Sequence, residues 1–156
     1  MVNPVLDTNL LILFLLGSYK PNMISGCTYT SKFNKDDFDL LNEFIKNQSA
    51  ICITPEIIAE LSNQSFFLME PGLSEYFKVI INKLSGMKEK YIPLTELLKN
   101  VDLLHKIGFT DISIYELAKN KDFVILTDDL KLYGFITSQK LNALNWSNIQ
   151  GKAWNL

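Results

Sequence analysis

Val5-Leu6-Asp7-Thr8-Asn9, running straight into Leu10-Leu11-Ile12-Leu13-Phe14-Leu15-Leu16, is the stretch on which the reading of this chain turns. A short apolar run that ends in a carboxylate and passes directly into an apolar helix places that carboxylate at the carboxyl end of a strand. In open α/β sheets ligands bind along that edge. The spacing predicts a strand over residues 2–6 and a helix over 9–17 closed by Gly17. A plainer account also fits this stretch, because Asp, Thr and Asn are favoured helix caps. The choice between a cap and a ligand for Asp7 depends on what the rest of the chain brings to it.

Three further acids occupy comparable settings downstream. Ala50-Ile51-Cys52-Ile53 reads as a short buried strand, and Thr54-Pro55-Glu56 opens a helix with a cap, a first-turn proline and a first-turn acid. Glu60 sits within that helix, where capping cannot account for it but solvent exposure can. A helix over Lys35–Asn47 carries Phe38, Leu41, Phe44 and Ile45 at helical spacing, with Asp36, Asp37 and Asp39 near its start where the dipole favours acids. Glu70-Pro71-Gly72 marks a turn, a helix follows from about Ser74 to Leu84, and Tyr91–Leu94 reads as extended. A helix from Thr95 to Gly108 precedes another headed by Thr110-Asp111. Phe123-Val124-Ile125-Leu126 is the clearest strand, ended by Thr127-Asp128-Asp129 and a helix through Leu132 and Tyr133. Leu141–Ile149 reads as a last strand with an irregular end. Residues 18–34 read as a long loop carrying Tyr19, Lys20, Tyr29, Lys32 and Phe33, which is either a surface for bases and phosphates or a variable insertion.

Strands alternating with helices predict an α/β fold, a Rossmann-like three-layer α/β/α sandwich around a central parallel sheet. At 156 residues and 47% hydrophobic, the chain suits one domain over 1–156. The formal charge of -2 supplies no basic field, yet gathering four acids into one pocket would leave the remaining surface slightly basic. Every basic residue is Lys, so bidentate guanidinium contacts with phosphate are excluded. Cys27 and Cys52 form neither a metal nor a disulfide motif, and reduced thiols fit a cytoplasmic protein. His105 lacks a partner in motif spacing, and no G-x-S-x-G is present, so a Ser-His-Asp hydrolase is hard to assemble. The start of the chain lacks a basic signal-peptide region, and Leu10–Leu16 is too short to span a bilayer, so no membrane is expected.

Right-handed crossovers put strand-to-helix turns on one edge of a parallel sheet. Asp7 and Asp129, or its neighbour Asp128, share that edge by topology. The helix headed by Asp111 runs antiparallel to the strand after it, which returns Asp111 to the same edge. Clustered carboxylates repel unless protons or cations compensate. A hard divalent cation is the natural partner for an oxygen-only site, and acid-only sites of this kind serve phosphodiester chemistry.

In order along nearly the whole chain, Val5-Leu6-Asp7-Thr8-Asn9, Ile58-Ala59-Glu60-Leu61, Phe109-Thr110-Asp111 and Ile125-Leu126-Thr127-Asp128-Asp129 resemble the PIN-domain nucleases. The resemblance implies a Mg²⁺- or Mn²⁺-dependent endoribonuclease that cuts RNA with activated water. It implies Asp7, Glu60, Asp111 and Asp129 as the catalytic, metal-binding acids, with Asp128 as an alternative to Asp129. Asn9 and Thr127 would be the polar supports, and Lys20, Tyr29 and Lys32 are the substrate-binding candidates from residues 18–34. Many small members are bacterial toxins held by an antitoxin protein, often as homodimers; the absence of Arg and the long segment at 18–34 depart from many of these. A catalytically inert PIN-like scaffold binding RNA or protein is the alternative. A haloacid-dehalogenase-like phosphatase would want a second Asp two positions after Asp7, where this chain has Asn9.

Overall fold

A computed structural model describes residues 2–154, and strand β1 (Asn3–Leu6) lies at its centre. On one side β1 pairs with β2 (Cys52–Ile53), which pairs with β3 (Lys88–Glu89); on the other it pairs with β4 (Phe123–Thr127), which pairs with β5 (Ala143–Asn145). All four pairings are parallel, and Leu6 faces Leu126 in the register of β1 with β4. Every residue of β4 is buried, as a parallel sheet covered on both faces requires.

The helices are α1 (Thr8–Tyr19), α2 (Lys35–Lys46), α3 (Pro55–Ser65), α4 (Gly72–Ser85), α5 (Leu94–Leu98), α6 (Val101–Ala118), α7 (Leu130–Ser138) and α8 (Trp146–Trp154). From β1 to β3 the chain steps one way across the sheet, and from β3 to β5 it steps the other. Right-handed crossovers therefore lay α1 to α4 on one face and α5 to α7 on the opposite face. The packing agrees: α1 contacts α2, α3 and α4, while α6 contacts α5 and α7. The result is the three-layer α/β arrangement that the alternation of strands and helices predicts.

Because α1 packs against three helices as well as the sheet, Leu10 through Leu16 are buried on every side. A helix apolar all round is the form such a central position demands. Gly17 does not end α1. It lies inside the helix against the Phe38 ring of α2, which occupies the place a Cβ would take. Glycine is needed here for close helix approach, not for a stop.

Several expected boundaries shift. Residues 18–34 are not an open loop: α1 continues to Tyr19, a 3-10 helix spans Pro21–Gly26, and Ile24, Cys27, Thr30 and Phe33 are buried. The Thr30 hydroxyl donates to the Ile24 carbonyl, so the segment is pinned from within. Tyr91–Leu94 is not a strand; the edge strand is Lys88–Glu89, whose charged, exposed side chains hid it. The end after β5 is helical, as α8. Among the described residues no helix is long and apolar enough to cross a membrane.

Candidate functional site

The strand order reverses between β1 and β4, and Asp7 and Thr127-Asp128-Asp129 stand at the carboxyl ends of those two strands. A crevice at such a reversal is the usual ligand position in doubly wound sheets. Asp7 is only 6% exposed, and its carboxylate is fully engaged. Oδ1 accepts from the Leu10 N–H at 2.8 Å, which caps α1; Oδ2 accepts from the Asp128 N–H at 2.8 Å and from the Thr127 hydroxyl. Cap and site position thus coincide in one residue. Burial pushes Asp7 up to about 6 in spite of these donors and the nearby charge of Lys32.

Glu60 projects from the middle of α3. Its Oε2 accepts from the Thr8 hydroxyl at 3.1 Å and its Oε1 from the Gln64 side chain at 2.9 Å. Asp111 comes from the other face of the sheet. Gly108 adopts φ 78°, a left-handed conformation open to glycine, and breaks α6 so that Asp111 lies just inside the restarted helix. The Ser113 and Thr54 hydroxyls, 2.8 Å apart and buried, pin this part of α6 to the start of α3.

Among the described residues the Asp111 carboxylate has no hydrogen-bond or ion-pair partner. Burial, then Asp129, Glu60 and Asp7 in that order, push its carboxyl up to about 7. Three acids from three other segments therefore act on Asp111 across the carboxyl edge. Asp129 caps α7, its Oδ1 accepting from the Lys131 N–H at 2.6 Å and the Leu132 N–H at 3.1 Å, while its other oxygen has no donor among the described residues. Asp128 has a different neighbourhood: it pairs with Lys32 and accepts from the Ser147 hydroxyl at 3.2 Å.

The remaining expected residues separate clearly. Thr127 supports Asp7 directly, but the Asn9 side chain makes no hydrogen bond among the described residues. The position beside it, Thr8, orients Glu60 instead. Lys32 stands at the acids. Lys20 lies at the far end of α1, about 20 Å from Asp7 by helical rise, and pairs with Glu75. Tyr29 is exposed and makes no hydrogen bond with the acids. Thr8, Ser113 and Ser147 escape a sequence reading because their partners lie on other elements, up to 59 positions away, whereas Gln64 stands one helical turn after Glu60 on α3.

No protein-family model matches this chain, and no curated protein is similar to it. The site itself must carry the functional reading. Its donors are all carboxylate or hydroxyl oxygens, the chemistry a hard cation prefers. Among the described residues no three of its acids stand close enough together to enclose one ion. Mg²⁺ needs no such cage, since it keeps several waters and uses one or two carboxylates together with substrate phosphate. Asp111 and the free oxygen of Asp129 fit that need.

Proposed function

We propose that this chain is a PIN-like, Mg²⁺- or Mn²⁺-dependent endoribonuclease of the cytoplasm. The observation that carries the reading is Asp111: a partly buried carboxylate with no hydrogen-bond or ion-pair partner among the described residues, set against Asp129, Glu60 and Asp7. A carboxylate so placed is costly to ionise without a counter-charge, and a divalent cation is the compensation its chemistry favours. Asp111 and Asp129 would hold the ion, with Asp7 and Glu60 beside them. When bound, the ion polarises a phosphoryl oxygen and makes water a stronger nucleophile at neutral pH.

The protein's own groups do the positioning. Thr127 and the Asp128 N–H fix the Asp7 carboxylate, and Thr8 and Gln64 fix Glu60, so neither acid has to reorganise when charge develops nearby. Lys32, more than half exposed, offers an ammonium to a backbone phosphate at the lip of the pocket. The reading also includes a protein partner, an antitoxin or a second copy, to which exposed apolar side chains such as Phe66 and Met69 are accessible.

Incubation of single-stranded RNA with the protein tests the activity. Cleavage is expected with Mn²⁺ or Mg²⁺, none in chelator, and none with Asp7→Asn at unchanged circular dichroism. Cleavage that persists in chelator, or in the variant, refutes the proposal. The inert-scaffold reading has one observation in its favour, that no three acids among the described residues form a clasp for an ion. It gains the field if calorimetry finds RNA binding but no uptake of either ion.

A further inference from the structure

The end of the sheet away from the acids holds a second concentration of charge. Residues 119–121 lead into β4 and 140–142 lead into β5, so both segments lie at the amino ends of neighbouring strands. Between them is a cavity of about 340 Å³ lined by Ala118, Lys119, Lys121, Lys140, Leu141 and Asn142. Lys119 is held in place by Glu116 at 2.5 Å and by the Tyr115 ring, 4.7 Å from its ammonium. Among the described residues Lys121 and Lys140 have no acidic partner, and Asp122, next in the chain, pairs with none of the three.

Lysines after a helix end can simply offset the negative pole of the helix, which would account for Lys119 after α6 and Lys140 after α7. That explanation does not reach Lys121, and it does not explain the backbone of Lys140. Lys140 has φ 59° and is the one residue other than glycine with positive φ among the described residues. Its N–H bonds the Thr137 carbonyl at 2.9 Å, and the Leu141 N–H bonds that of Ile136 at 3.2 Å. This is the helix closure where glycine or asparagine is normally found, because a Cβ is strained there. Lys140 thus occupies the glycine position of a helix closure, and its side chain lines the cavity together with two other lysines.

We propose that this cavity binds a phosphate-bearing anion, independently of the chemistry at the acid edge. Three lysines and no carboxylate line the hollow, Glu116 being paired with Lys119 and Asp122 pairing with none of the three, so the lining is positive and each ammonium can donate to phosphate oxygens as a point charge. The free compound and the end of an RNA strand share that chemistry.

The test uses the full chain in chelator at low salt, with inorganic pyrophosphate titrated while backbone amide shifts are followed. Saturable shifts are expected at residues 119–121 and 140–142 and not at Asp7 or Asp111. Lys140→Gly relieves the backbone, so its Tm should equal or exceed that of the parent while its pyrophosphate affinity falls about tenfold, the loss expected for one charged hydrogen bond. Lys121→Ala should weaken binding similarly. An oligoribonucleotide that binds more tightly with a 5′-phosphate than with a 5′-hydroxyl identifies an RNA end as the ligand; equal binding, with pyrophosphate still bound, identifies a free phosphate compound. Absence of saturable shifts, or a Lys140→Gly protein that binds pyrophosphate as tightly as the parent, overturns the assignment.

Discussion

The two ends of the sheet carry opposite charge. At the carboxyl edge Asp7, Glu60, Asp111 and Asp129 converge with Lys32 as the nearby cation; at the amino edge Lys119, Lys121 and Lys140 surround a hollow with Glu116 as the paired acid. The chain as a whole is close to neutral, at -2. A parallel sheet produces this segregation readily, because every strand enters at one edge and leaves at the other. Net charge is thus a poor guide to what either surface can bind. The edges also differ in cost: the lysines are exposed and solvated, whereas Asp7 and Asp111 are held in surroundings that oppose their ionisation.

Breaking the carboxyl edge should have the largest effect. Asp7→Asn is expected to reduce metal-supported RNA cleavage to background, whereas Lys121→Ala should leave the rate per enzyme within about twofold if the edges act separately. Equal losses from both variants, measured on one RNA, would mean that the two edges form one substrate track.

The pH dependence of stability sharpens the contrast. Asp7 rises from 3.8 to about 6 and Asp111 from 3.8 to about 7, so the folded protein keeps these protons after the unfolded chain has lost them. Their contribution is fully present below pH 4 and is lost as pH rises through 6 and 7. For Asp7 alone the loss is about 3 kcal/mol. Denaturant titrations in chelator should follow that downward trend, and saturating Mn²⁺ should flatten or reverse it. A metal-free protein whose stability rises steadily from pH 4 to 7 would show that the acids do not share a desolvated pocket.

Asp111→Asn removes an unpartnered charge. Its metal-free Tm at pH 8 should rise by about 2–4 °C, as expected for a gain near 1 kcal/mol in a chain of this size, and its stabilisation by Mn²⁺ should shrink. The smallest effect belongs to Lys20→Ala. Its ion pair with Glu75 is exposed and screened by solvent, so the Tm should barely move and cleavage not change at all. A cleavage defect there would mean that RNA reaches the far end of α1.

Much of this architecture was legible in local patterns. The apolar runs Val5-Leu6 and Phe123–Leu126, each ended by an acid and a helix, are sufficient to predict parallel strands with their carboxyl ends in register. The edge strand Lys88–Glu89 was hidden because two exposed, charged residues carry no periodic signal. Residues 18–34 looked like a loop because Pro, Gly, Ser and Asn are turn formers. Their order comes from long-range burial of Ile24, Cys27 and Phe33, which local composition does not reveal. Lys20 and Lys32 were equivalent candidates in the sequence, and only the length of α1 separates them.

Sequence alone determined the alternation of strands and helices, the all-parallel sense of the sheet and the acids heading toward its carboxyl edge, because hydrophobic period and crossover handedness are local rules. Tertiary structure decided which hydroxyl supports which carboxylate, that Lys32 and not Lys20 meets the acids, and that lysines 119, 121 and 140 share a hollow. Those are contacts between elements distant in the chain, and the energies that select them, desolvation and close packing, exist only once the layers have come together.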